Sequence, residues 1–324
     1  MDPYASSVYR QNFENNNSDD NTLIEADILD LCAVRDIPHG TDILTGGFPC
    51  QPFSARGKQR GFHDDRGQLY REIVRVLRAC HPKSFIFENV ASMGEGGGGR
   101  YQGRSLPRTR GEAGSVFQTI LTAFQNCGYT VDWNICNSRH FVAQNRERVF
   151  IVGIRNDLVD EGKYFSWDWY DKIREEQSST TVVRDIMEPP DSLAVLNSEL
   201  STHQYTKLQE IHSKINGIEK AHIDINAKAP TLISSYRRSG NLTSKYIFVE
   251  RDGTTRKIPR LLTTRECCRI QGFPDDFYAP YVDVDGKVAT AHFYSGIGNA
   301  VVPPVVASIG KELIGKELVS CLHG

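Results

Sequence analysis

Cys50 stands between Pro49 and Pro52 in the run Gly46-Gly47-Phe48-Pro49-Cys50-Gln51-Pro52-Phe53-Ser54. A thiolate is the most nucleophilic side chain available near neutral pH, so a cysteine on a stiff turn is placed for addition to an electron-poor carbon. Free cysteines more often fill apolar interiors, and position alone does not decide between the two readings. The preceding Asp42-Ile43-Leu44-Thr45 is short, apolar-leaning and bounded by glycines, the pattern of a buried strand that ends in a tight turn. A carboxylate, Glu88, ends a second apolar run, Ser84-Phe85-Ile86-Phe87, and Arg146 and Arg148 alternate in Gln144-Asn145-Arg146-Glu147-Arg148. Charges at strand ends are commonly capping or solvated groups, so each needs its context.

Stepping outward from Cys50 and Glu88, Leu69, Ile73, Val76 and Leu77 recur at helical spacing over 68–79, and Pro82-Lys83 separates that helix from the strand leading to Glu88. Strand, helix, strand predicts a βαβ unit. Ligands of α/β proteins collect where strands end on one edge of the sheet, which predicts that Cys50 and Glu88 face one crevice. Further expectations are a helix over 4–13, a short strand over 22–27, a helix over 116–126, and strands over 129–135 and 148–154. A closing helix over 305–322 would bury Val305, Val306, Ile309, Leu313 and Leu318 on one face. Residues 96–99 are four glycines followed by Arg100, Arg104, Arg108 and Arg110 with no acid before Gly111. That segment reads as a basic loop, either closing over phosphates or serving as a solvated insertion. From about 157 to 228 the chain turns polar, with an aromatic cluster at 164–170 and no βα alternation, which predicts a separate small domain.

The 324 residues suffice for one large core or a core with a small second domain, and a net charge of -2 gives no global attraction to nucleic acid. Eight cysteines include no Cys-x-x-Cys pair, so no metal site is expected, and adjacent Cys267-Cys268 reads as a buried helix face. The N-terminus carries no signal-peptide pattern and no apolar run is long enough to span a bilayer, so the expectation is a cytoplasmic protein with no membrane partner.

Taken in order, Gly47 to Ser54, Glu88-Asn89-Val90, Gln144-x-Arg146-x-Arg148, Arg265-Glu266-x5-Gln271-Gly272-Phe273-Pro274 and Gly298-Asn299-Ala300-Val301 resemble a DNA cytosine-5 methyltransferase of the bacterial restriction-modification type. The resemblance implies an α/β fold with a class I methyltransferase, Rossmann-like sheet and a small target-recognition domain. It divides the chain into catalytic residues 1–156, target recognition over 157–228, and a return to the catalytic domain over 229–324. It implies that Cys50 adds to C6 of a cytosine flipped out of double-stranded DNA, with Glu88 near N3, Arg148 near O2 and Arg146 in support. S-adenosyl-L-methionine is the implied cofactor, held by Asp27, Ile28, Pro49, Leu69, Asn299 and Val301. Gln51, Ser54, Thr231 and Arg237 are the implied DNA contacts, and a cognate restriction endonuclease is an implied functional partner.

Members of that family begin with a strand and a Phe-x-Gly-x-Gly loop for the cofactor, and Met1-Asp2-Pro3-Tyr4 aligns after both. The resemblance therefore leads to the expectation of a sheet lacking its first strands, and of an enzyme that needs the missing N-terminal segment for full activity. A misassigned start or interrupted gene, a complementing N-terminal polypeptide, or a fragmentary sequence would each account for it. Two other functions stay open at this stage: a tRNA cytosine-5 methyltransferase, and an inactive DNA-binding remnant.

Overall fold

The computed structural model describes residues 3–13, 23–48, 69–94, 115–159, 165–215, 221–237, 244–249, 258–277 and 290–315. In chain order the first half contains α1 (Pro3–Phe13), α2 (Ala33–Asp36), β1 (Ile43–Gly47), α3 (Tyr70–Cys80), β2 (Ser84–Val90), α4 (Ala91–Gly94), α5 (Ser115–Gln125), β3 (Tyr129–Asn137), β4 (Gln144–Asn145) and β5 (Glu147–Arg155). The second half contains α6 (Asp168–Glu176), α7 (Leu193–Leu196), α8 (Thr202–Ile215), β6 (Ala229–Pro230), β7 (Ile247–Val249), β8 (Ile258–Arg260), α9 (Thr264–Gln271), α10 (Thr290–Asn299) and α11 (Pro303–Leu313). The chain divides into two units, one of 26–137, 147–176 and 307–324, the other of 1–25, 138–146 and 177–306. The polar stretch 157–228 is thus shared, with 157–176 in the first unit and 177–228 in the second.

The first unit is built on a sheet of order β1-β2-β5-β3, in which β1 and β2 are parallel and β5 runs antiparallel to both its neighbours. The βαβ unit expected around α3 is present. Tyr70, Ile73 and Leu77 of α3 join Phe85 and Phe87 of β2 and Phe117, Ile120 and Phe124 of α5 in one buried cluster. Phe85 and Phe87 alternate to the same face, and their rings stack with centroids 4.4 Å apart. Gly153 lies opposite Phe85, where a Cβ would stand 2.1 Å from the Phe85 ring, so only glycine lets that ring cross β5. From the outer end of the sheet, α6 is tied back by Tyr170, whose hydroxyl accepts a hydrogen bond from the Asn137 amide at 2.7 Å.

Two expectations are corrected: β1, read as a buried strand, is half-buried at Ile43 and Leu44 and exposed over 45–47, having a strand beside it on one edge alone among the described residues, and 22–27, read as a strand, is not one over its described part. Residues 23–27 form no strand: Asp27 opens a turn in which its carbonyl accepts from the Asp30 and Leu31 amides, and Ile24 and Ile28 are exposed. An apolar pair this short lacks the cross-strand partners that make a strand, and the local turn bonds of an aspartate prevail. Of the expected closing helix, α11 covers Pro303–Leu313 with Val305, Ile309 and Leu313 buried and Val306 half-buried, while residues 316–322, Leu318 among them, lie outside the described residues. The basic segment 95–114 also lies outside them.

The second unit gathers Val183, Ile186, Leu208, Tyr236, Tyr246, Leu262, Ile270, Phe293 and Tyr294 into its own core. Helix α9 organises it. Thr263 caps the helix by accepting the Glu266 amide at 3.1 Å while its own amide donates to the Glu266 carboxylate at 2.9 Å. The same carboxylate takes two bonds from Arg260, at 2.7 and 2.8 Å, in a pair wholly shielded from solvent. Cys267 and Cys268 are buried on this helix, and burial pushes the Cys268 thiol up to about 11 and that of Cys267 well above its ordinary value. Gly272 ends α9 at φ 80, where a Cβ would meet Val142 at 2.7 Å.

Candidate active site

The sheet delivers two of the four expected catalytic side chains to one place. Glu88 on β2 pairs with Phe150, and Val90 with Arg148, so Glu88 and Arg148 lie diagonally across an antiparallel ladder on the same face. Arg148 Nε stands 2.9 Å from Glu88 Oε1, with each side chain just under one-fifth exposed. A neighbouring bond from Arg148 Nη1 to the Glu147 carbonyl, 2.7 Å long, fixes the guanidinium on its other side. A carboxyl and a guanidinium so joined offer a proton carrier and a fixed positive charge side by side.

On the opposite side of β2, Gly47 of β1 pairs with Glu88. A Cβ on Gly47 would come within 2.9 Å of the Glu88 carbonyl oxygen, so β1 ends bare beside the carboxylate. Phe48 follows, buried, and its carbonyl accepts a 2.9 Å bond from the Asn89 side chain. Asn89 thereby locks the exit of β1 to the residue next to Glu88. The chain leaves the described residues at Phe48, two positions before Cys50; Pro49, Cys50, Gln51 and Ser54 lie outside them.

Among the expected cofactor residues of this unit, Asp27 and Ile28 sit on the turn that precedes α2, and Leu69 caps α3, its carbonyl accepting the Glu72 amide at 3.1 Å. Asp27 uses Oδ1 to accept the Leu29 amide at 3.0 Å, and its other oxygen carries no hydrogen bond among the described residues. The turn therefore presents an open carboxylate oxygen next to exposed Ile28. A carboxylate acceptor beside an apolar side chain fits the exocyclic amine, which donates, and the apolar face of a purine.

In the second unit Arg146 is buried, donating from Nη1 to the Leu232 carbonyl at 3.0 Å and from Nη2 to the Ala300 carbonyl at 2.9 Å. It braces the backbone between Asn299 and Val301 against the residue after Thr231. Gln144 takes the other side of that residue, its Oε1 accepting the Leu232 amide at 3.0 Å. Gly298 completes the joint, since a Cβ there would stand 2.6 Å from the Ile233 carbonyl carbon and the Ser234 amide nitrogen. Thr231 donates its hydroxyl to the Asn145 carbonyl at 2.9 Å. Arg237, at φ 57, spends its guanidinium on the Tyr294 hydroxyl at 3.1 Å and the Asn197 carbonyl at 3.0 Å. Gly47, Asn89 and Gly298 fell within the motifs, but only the register and close approaches reveal what they do. No group of three metal-ligating side chains is found among the described residues, and none of their helices is long and apolar enough to cross a membrane.

A family profile for C-5 cytosine-specific DNA methylases matches residues 1–315. The chain belongs to that family. It is 30% identical over 318 residues to the type II methyltransferase M1.ScrFI of Lactococcus lactis subsp. cremoris, covering 97% of this chain and 70% of that one. Identity to the type II methyltransferase M.NlaX of Neisseria lactamica is 33% over 283 residues, covering 86% and 78% respectively. Among solved structures, the methyltransferase EhMeth of Entamoeba histolytica superposes with a TM-score of 0.67 at 16% identity, covering 97% of this chain and 88% of that one. The Dnmt2 methyltransferase of S. pombe gives 0.66 at 17% identity, covering 100% and 90%. These likenesses establish the fold as that of the class I methyltransferases.

Proposed function

We propose that this member of the family methylates C5 of cytosine in double-stranded DNA through Cys50, with Glu88 and Arg148 acting as one unit on the pyrimidine. The single observation that carries the reading is the 2.9 Å Glu88–Arg148 pair beside the bare end of the strand that leads to Cys50. Cytosine C5 is a weak nucleophile. A Cys50 thiolate adding to C6 forms an S–C6 bond and drives the C5=C6 electron pair toward C5 and, by conjugation, toward N3 and O2. Glu88 faces N3 and supplies a proton as charge arrives there, and the Arg148 guanidinium stabilises what collects on O2. S-adenosyl-L-methionine, when bound, supplies the electrophilic methyl group. Loss of the C5 proton to a water molecule, expulsion of the thiolate from C6 and return of the N3 proton to Glu88 then restore the aromatic ring, Cys50 and the carboxyl.

Asp27 and Ile28 meet the adenosyl end of the cofactor on this reading, Leu69 and Pro49 line its path, and Asn299 and Val301 hold its amino-acid end. Gln51, Ser54, Thr231 and Arg237 serve the DNA, with Arg237 acting through the loop that it ties to Tyr294. The target base has to leave the duplex, because neither face of C6 is open to a thiol within the stack. Residues 157–228 read the recognition sequence, and a cognate endonuclease is the matching functional partner.

The test is transfer of tritiated methyl from S-adenosyl-L-methionine to mixed-sequence duplex DNA and, in parallel, to tRNA. Incorporation into the duplex with none into tRNA is expected. Incorporation confined to tRNA contradicts the proposal.

A further inference from the structure

The turn carrying Asp27 and Ile28 has no strand to hold it, yet it is bound at two points by one side chain from α3. Arg75 donates from Nη2 to the Ile28 carbonyl at 2.6 Å and from Nη1 to the Leu31 carbonyl at 2.9 Å. Glu72, one turn earlier on the same helix, accepts from Arg75 Nε at 2.7 Å and fixes the fork. Below it on the helix, Val76 and Cys80 bury Ala33, and the Cys80 thiol donates to the Ala33 carbonyl at 3.2 Å. Helix α3 thus grips this segment at both ends.

The Ile28 contact acts on the carboxylate of Asp27. A trans peptide is planar, with its oxygen and its N–H directed to opposite sides. Arg75 holds the oxygen of the Ile28–Leu29 peptide, and Asp27 Oδ1 accepts the N–H of that same peptide at 3.0 Å. Guanidinium, carbonyl, amide and carboxylate form one chain of donors and acceptors, in which each bond polarises the next. The orientation of the second Asp27 oxygen is therefore set from Arg75. Three donors in a rigid plane are needed, one for each of Glu72, Ile28 and Leu31, which lysine does not supply in fixed directions.

We propose that Arg75 is the positioning residue of an adenine-amino subsite whose acceptor is the Asp27 carboxylate. The inference rests on the proposed role of the Asp27–Ile28 turn and adds to it the residue that gives the turn selectivity for an aminopurine over a purine lacking the amine.

The experiment measures calorimetric affinities of the full chain for S-adenosylhomocysteine and for its analogue carrying hydrogen in place of the purine amino group. A preference of roughly tenfold for the amine is expected, the size of one hydrogen bond to a charged acceptor. Asp27→Ala should erase that preference. Arg75→Met should erase most of it, Arg75→Lys should keep an intermediate value, and the double variant should lose no more than Asp27→Ala alone. Arg75→Met with the wild-type preference intact, or with both ligands weakened equally, overturns the proposal and reduces Arg75 to a structural brace. No binding, or no preference, in the wild type, or a preference that survives Asp27→Ala, overturns the reading of the turn itself.

Discussion

Glu88 and Arg148 lie 60 positions apart in sequence, yet the register that sets Val90 opposite Arg148 brings their side chains together at 2.9 Å. The pair acts as a unit, so removing either partner should cost most of what removing both costs. Glu88→Gln and Arg148→Met are each expected to slow methyl transfer by about 10²–10³-fold, the scale of one lost charge-stabilising group. The double variant should fall little further. Single-turnover rates on duplex DNA check this, with sheet integrity followed by circular dichroism.

Arg146 is expected to behave differently from Arg148 because it holds two backbone carbonyls. Arg146→Ala strands both acceptors in a buried joint, at about 1–3 kcal/mol for each. Urea unfolding should show that loss, and Arg146→Lys should recover only part of it, since one ammonium cannot reproduce the two fork directions.

At Gly298 the sign of a substitution is the prediction. Within a helix, alanine is ordinarily better than glycine by about 1 kcal/mol. The Ile233–Ser234 backbone lies 2.6 Å from where the new methyl would be, and backbone cannot swing aside as a side chain can. Gly298→Ala should therefore lower the thermal midpoint; a rise would show that the joint yields.

The βαβ frame and the strands that carry Glu88 and Arg148 were legible because apolar runs, helical spacing and Pro82 all agreed locally. The failed strand over 22–27 shows the limit: the turn that follows it is held by Arg75, 44 and 47 positions away from its acceptors Leu31 and Ile28, and no local pattern signals such a contact. Helix α6 meets the sheet by a contact of similar reach: the Tyr170 hydroxyl accepts the Asn137 amide, 33 positions away. Cys50, Glu88 and the two arginines stand out by type and order in the sequence, whereas the packing roles of Asn89, Gly47 and Gly298 needed the registers and approaches.

Alkaline pH should weaken the second unit. Burial raises the Cys268 thiol from 9.0 to about 11 in the folded chain, so between those values the unfolded chain has lost a proton that the native chain keeps. A raised folded value means stability is fully present below the unfolded value and is lost as pH climbs through the folded one. The two-unit gap corresponds to about 2–3 kcal/mol at most. Urea midpoints at pH 8 and pH 10.5 should differ less in Cys268→Ala than in the wild type.

In the proposed mechanism Cys50 forms the bond to cytosine. Its most direct test is tritiated methyl transfer to duplex DNA by the wild-type chain and by Cys50→Ala, with DNA binding measured in both. Cys50→Ala is expected to bind DNA still and to incorporate no methyl above background. Equal incorporation by both proteins would contradict it.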